Sequence, residues 1–168
     1  MEPSAKSFSL ADATSPKRIQ LRCATTGDLE DLRNWKNQHR EFFFHKEEIS
    51  RAQQEEWFRA YERRADDFMF MVLSGEKSIG CMGIRLIADR AWDVYNVILG
   101  VKEFRGTGLM SSALQQMIRF ALSRRPAVIA LKILKGNSAV DWYRSNGFVT
   151  TQDRADHLCM TYEPSGHR

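Results

Sequence analysis

EFRGTGLMSSAL, residues 103–114, sets an arginine ahead of two glycines spaced two apart and then begins a run of serines and leucines. From there on, apolar residues recur at Leu109, Met110, Ala113, Leu114, Met117, Ile118, Ala121 and Leu122, the repeat of an amphipathic helix. Arg124 and Arg125 end that helix ahead of Pro126. Just upstream, DVYNVIL (93–99) alternates and branches like a strand. Strand, glycine turn and helix start together make a phosphate-binding arrangement, because the first turn of a helix leaves N–H groups unpaired and carries partial positive charge.

Which phosphate follows from what the stretch lacks. A nucleotide-hydrolysing loop needs Gly-Lys-Ser/Thr four residues after a first glycine, and GTGLMSS (106–112) holds no lysine. A dinucleotide fold needs a third small residue at position 111, which is Ser111, and an acid about 20 residues on. The next strand, AVIALKIL (127–134), carries Lys132 and no acid, and Lys135 follows it. The elements before the loop also argue against a parallel crossover. FMFMVL (68–73) and SIGCMGIRLI (78–87) flank the turn SGEK, and DVYNVIL follows the short polar link ADRA, so three strands run on as hairpins.

Working outward, IQLRC (19–23) alternates as a half-buried strand, and the segment 25–37 places Leu29, Leu32 and Trp35 on one helical face. Residues 50–61 open with Ser50 and Gln53 at capping-box spacing. SAVDWYRSNG (138–147) reads as a short helix closed by Gly147, and FVTT with HLCMTYE as a last hairpin. The expected order is β-α-α-β-β-β-α-β-α-β-β, an α/β (α+β) fold in a single domain over residues 18–163. Residues 1–17, without periodicity, read as a flexible amino-terminal tail, and 164–168 as a carboxy-terminal one.

Composition narrows the partners. The 168 residues are 43% hydrophobic and 27% charged, with a net charge of +4 and a pI near 9.1. That suits an anionic ligand, but no Lys/Arg block marks a nucleic-acid footprint. The longest apolar run is too short to span a bilayer, and the start lacks the plan of a secretory signal, so a cytoplasmic protein without membrane attachment is expected. Cys23, Cys81 and Cys159 are far apart and unpaired in pattern, which suggests neither disulfides nor a metal site.

EFRGTGLMSSAL resembles the Arg/Gln-x-x-Gly-x-Gly/Ala loop of the GNAT superfamily of acyl-CoA-dependent N-acetyltransferases, and NSAVDWYRSNGF (137–148) resembles that superfamily's later Asn-x-Ala…Tyr-x-x-x-Gly-Phe segment. The front half, with LRNWKN, REFFFHKEEIS and EEWF, resembles the branch that includes acyltransferases of nucleotide-linked amino sugars and of ribosomal protein amino termini. The resemblance implies a strongly twisted, mainly antiparallel mixed sheet with helices on both faces. It also implies acetyl-CoA as co-substrate, an amine acceptor, no metal, and a monomer or homodimer. One position departs: the loop's final Gly/Ala is Met110.

By the same resemblance, Arg105, Gly106, Thr107, Gly108, Leu109, Met110 and Ser111 hold the coenzyme's pyrophosphate, and backbone N–H groups at Leu99, Gly100 and Val101 meet its pantetheine and thioester. Asn137 matches a polar contact to the coenzyme arm, though an Asn heading a helix also serves as a cap. Tyr143 sits where the family often carries the acid that protonates the thiolate; the competing reading is packing beside Trp142. Asp93 is the candidate base, against a plain turn role in ADRAWD. On the acceptor side stand Trp35, Phe43 and His45, the rings of a Phe-rich loop being divided between pocket and core. A catalytically silent acyl-CoA-binding module and, more remotely, a dinucleotide-dependent enzyme remain the alternatives.

Overall fold

Residue-by-residue alternation in FMFMVL divides the molecule into two cores. In the computed structural model, which describes residues 6–12 and 18–164, Phe68, Phe70 and Val72 join one buried cluster, and Met69 and Met71 the other. A strand buried on both faces needs helices on both sides. One side is covered by α3 (Leu109–Arg124), the other by α1 (Leu29–Gln38) and α2 (Arg51–Glu62). Ala113, Leu114, Met117, Ile118 and Ala121 make the buried face of α3, and Leu32, Trp35, Phe58 and Tyr61 those of α1 and α2. Ser50 caps α2, accepting from the Gln53 N–H at 3.2 Å while the Gln53 side chain accepts from the Ser50 N–H at 2.9 Å.

The strands are β1 (Ser9–Ala11), β2 (Ile19–Cys23), β3 (Asp67–Ser74), β4 (Lys77–Ile87), β5 (Ala91–Leu99), β6 (Val128–Leu134), β7 (Phe148–Asp153) and β8 (His157–Tyr162), with α4 (Ala139–Ser145) between β6 and β7. They form one sheet in the order β1-β2-β3-β4-β5-β6-β8-β7. Every pairing is antiparallel except β5 with β6. Ala88 and Asp89, both at positive φ, make the tight turn from β4 to β5. Cys23 and Cys81 are buried free thiols. No described helix is long and apolar enough to cross a membrane.

Apart from one strand, the order of elements is the expected one. The exception corrects the reading of residues 1–17 as a tail: Ser9–Ala11 add β1 to the edge of β2, in register Leu10↔Leu21. The physical reason is Phe8, whose ring packs edge-on against Phe68 and Phe70 and at 5.3 Å from Phe120, while its carbonyl accepts from the Cys23 N–H at 3.1 Å. One anchored aromatic holds a three-residue edge strand that has no periodicity of its own. Residues 1–5, 13–17 and 165–168, where the rest of the two tails was placed, lie outside the described residues.

Candidate active site

The parallel pair that joins the two antiparallel parts of the sheet is also where it opens. β5 and β6 are in register only from Ala91↔Val128 to Asp93↔Ala130, and beyond that point they part. β5 is bent by a bulge: Gly83 faces Tyr95 and Cys81 faces Ile98, so β5 has one residue more than β4 between these pairs. Asn96 takes the left-handed conformation there, φ 48°, which asparagine tolerates better than most residues. Its carbonyl accepts from the Cys81 thiol at 3.4 Å, and its side chain accepts from the Lys36 ammonium. A bulge of this kind re-aims the strand, and the gap becomes a cleft of about 1120 Å³ between β5, β6, α4 and the loop after α1.

At one end of the cleft is the glycine turn. Gly106 and Gly108 both hold positive φ, 75° and 77°, and α3 starts directly after Gly108. The Thr107 hydroxyl donates to the Phe104 carbonyl at 2.7 Å and accepts weakly from the Leu109 N–H at 3.4 Å. The N–H groups of Gly106, Gly108, Met110 and Ser111 have no acceptor among the described residues. Unpaired donors at a helix start are the kind of arrangement that receives an anion, and beside them Lys102, Arg105 and Met110 line the cleft. Met110 turns its side chain inward: a Cβ on Gly80 would lie 3.2 Å from its sulfur, so Gly80 opens the space that the longer side chain fills. The departure from the expected Gly/Ala is absorbed by the core. The Ser111 hydroxyl accepts from Trp142 Nε1 at 2.9 Å and from Asn146 Nδ2 at 3.2 Å, which ties the turn to α4.

The strand edge upstream differs from expectation. The N–H groups of Gly100 and Val101 both donate to the Ile79 carbonyl, at 2.8 and 3.0 Å, so they are spent within the sheet. By the alternation of an extended strand, the N–H of Leu99 faces the opposite, open side. Gly100 has a different purpose. A Cβ there would lie 2.1 Å from the Trp35 ring, and Trp35, 7% exposed, belongs to the second core rather than to the cleft wall. Gly100→Ala is therefore expected to lower Tm by roughly 3–10 °C in a thermal melt, the overpacking cost of about 1–3 kcal/mol in a domain of this size. An unchanged Tm would mean that the ring is not held against the strand.

Tyr143 lines the cleft and is 8% exposed. Its ring meets Trp142 and Phe148 edge-on, its hydroxyl has no hydrogen-bond partner among the described residues, and burial pushes its pKa up. Asn137 does cap: its Oδ1 accepts from the Ala139 N–H at 2.9 Å, and its Nδ2 reaches the Phe42 carbonyl at 3.4 Å. Asp93 is not a turn residue. It sits inside β5 at the fork, accepts from Arg85 Nε at 3.0 Å, and has its pKa raised by burial against the opposing pull of Arg85 and Lys132. Arg85 in turn lies 4.4 Å over the Tyr95 ring, whose hydroxyl donates to Asp67.

Beyond the bulge a side chamber of about 240 Å³ joins the cleft through Lys36, His45, Trp57, Asn96 and Ile98. Phe43 and His45 line the cleft. Lys36 was not foreseen. As a polar residue after Trp35 on an amphipathic helix it has the signal of a solvated face, and only the fold turns it inward, under the Phe43 ring at 3.4 Å. Burial lowers its pKa to about 8.

A family model described as an acetyltransferase (GNAT) domain matches residues 18–149. Among solved structures, spermidine N-acetyltransferase from Vibrio cholerae in complex with CoA and spermine is similar at TM-score 0.72 and 20% identity, covering 85% of this chain and 93% of that one. FdhC, a nucleotide-linked sugar GNAT, gives 0.73 at 15% identity over 87% and 86%. The ribosomal alpha-N-protein acetyltransferase RimL, in complex with coenzyme A, gives 0.69 at 15% identity over 88% and 93%. At these identities the likeness is one of fold. Among curated proteins none is significantly similar to the chain.

Proposed function

This chain belongs to the GNAT acetyltransferase family, and on that premise we propose that it transfers an acetyl group from acetyl-CoA to a primary amine of a small molecule or a protein amino terminus. The observation that carries this reading is one continuous cleft. It runs from Arg105 and Met110, which flank the glycine turn with its unpartnered N–H groups, along the parted strands, to the bulge at Asn96. An anionic, extended ligand fits such a shape. The nest at Gly106–Ser111 holds its diphosphate, Lys102 and Arg105 add screened surface charge, and Leu99 presents a backbone donor along the arm. Acetyl-CoA supplies there an activated thioester and a thiolate leaving group.

The chain's own groups then divide the work. An N–H donor at Leu99 faces the carbonyl oxygen as negative charge grows on it. Asp93, at the fork about 20 Å from Leu99 along β5 at ~3.3 Å per residue, takes only through intervening water the proton that the acceptor ammonium must lose. Tyr143 offers a proton from the opposite wall. Coenzyme A is expected to raise Tm in a saturable way, and acetyl-CoA to release free thiol with at least one member of a panel of amino sugars, polyamines, amino acids and peptides. Stabilisation without thiol release from any amine would favour a silent binding module. No shift at millimolar coenzyme, or a shift with a nicotinamide nucleotide instead, would sink the reading.

A further inference from the structure

The cleft as a whole is cationic. Its walls carry Lys36, Arg85, Lys102, Arg105 and Lys132 against only Asp93 and Glu103. Of these, Lys102, Glu103 and Arg105 flank the anion-binding turn, and Arg85 is paired with Asp93. Lys36 stands apart at the bulge, about 16 Å upstream of Val101 along β5 at ~3.3 Å per residue. It is too far back to serve the diphosphate. The side chamber it opens onto is floored by Leu32, Ile49, Trp57 and Met69, has polar groups at Gln53 and Gln54, and contains no acid.

An ammonium has three donors. The Asn96 side chain takes one and the Phe43 ring lies against the head group, and among the described residues no carboxylate pairs with it. A desolvated cation answered only by a neutral amide and a ring destabilises the fold unless something else compensates it. The same cation repels a polyamine, whose successive ammonium groups need acids to receive them, and none lines the chamber.

Resting on the acetyltransferase reading above, we infer that the acceptor is an amino-acid-sized amine carrying a carboxylate or phosphate, which docks on Lys36 at the mouth of the chamber beside Asn96, its body lying against the apolar floor. The chamber volume, about 240 Å³, suits a molecule of that size. The anion fixes the orientation, so that the amine faces the parted strands on the side of Leu99, where the thioester carbonyl is placed.

The test compares amines that differ only in the anion. Free apolar α-amino acids are set against their carboxamides, O-phosphoethanolamine against ethanolamine, and spermidine stands alone, with thiol release from acetyl-CoA as readout and a coenzyme thermal shift on the same preparation. At least a tenfold higher kcat/KM is expected for an anionic member than for its neutral partner, and the two pairs tell carboxylate from phosphate. Lys36→Met is expected to bring that ratio toward one by raising KM for the anionic amine, and Lys36→Arg to keep most of it. Equal or better use of the neutral partners or of spermidine overturns the inference, as does a preference that survives Lys36→Met. An equal fall in kcat on both members of a pair would make Lys36 a proton carrier and overturn it too. Should Lys36→Met not fold, the wild-type ratios alone decide. A normal coenzyme shift with no anionic amine acetylated defeats this inference and leaves the coenzyme site standing; no coenzyme shift defeats the reading on which it rests.

Discussion

Tyr143→Phe is expected to lower turnover about ten- to a hundredfold or more, in line with the two to four orders of magnitude typical of a positioned acid, while Tm and coenzyme affinity stay nearly unchanged. The ring is what packs: it meets Trp142 at 4.9 Å and Phe148 at 5.5 Å between centroids, and phenylalanine keeps both contacts. The hydroxyl holds nothing in place, since it has no partner among the described residues, so its loss leaves no orphaned donor behind.

Burial raises the phenol's pKa, which keeps the proton on oxygen in the resting protein. It also makes Tyr143 a weak acid toward a thiolate in water. A thiolate leaving beside the same buried hydroxyl is destabilised for the same reason, so the two affinities for the proton rise together and the transfer is not uphill by their difference in water. Turnover and Tm measured on one preparation distinguish acid from packing. Unchanged turnover ends the acid role, and a joint fall in stability and rate returns Tyr143 to the core.

Periodicity carried most of the fold. The stripe from Leu109 to Ala121 is the buried face of α3, and the alternation of FMFMVL separates two cores that lie on opposite sides of one strand. What escaped was set by contacts distant in sequence. Trp35 was on the correct helical face, but an aromatic ring reads alike for a pocket or a core. The residue that seats it is Gly100, on another element. Asn96 looks like one more position in an alternating strand, and nothing local announces a bulge. Lys36 carries the pattern of a solvated residue, and only Asn96 and Phe43, brought over it by the fold, remove it from water. Phe8 anchors β1 through three other phenylalanines, none of them near it in the chain.

The glycine turn was legible for the opposite reason: its requirement is local. Gly108 caps α3 at φ 77°, a conformation that a β-branched residue essentially does not hold, so Gly108→Val is expected to abolish stabilisation by coenzyme A. Valine forces the peptide toward negative φ and rotates the N–H groups at 108 and 109 away from those of Met110 and Ser111. The nest works only when its donors converge. At a hundredfold excess over Kd the wild-type protein gains about 2.7 kcal/mol, or roughly 5–11 °C in Tm at this size, and the variant should show no such shift. Its own Tm falls by the cost of strain, on the order of 1–3 kcal/mol, because Ala113, Leu114 and Met117 still fix α3 to the sheet. Gly75→Val supplies the control. Gly75 also has positive φ, 62°, in the open β3–β4 turn, so that change strains the backbone equally and should leave the coenzyme shift intact. A shift that survives Gly108→Val, or one lost in both variants, would take the coenzyme away from this turn.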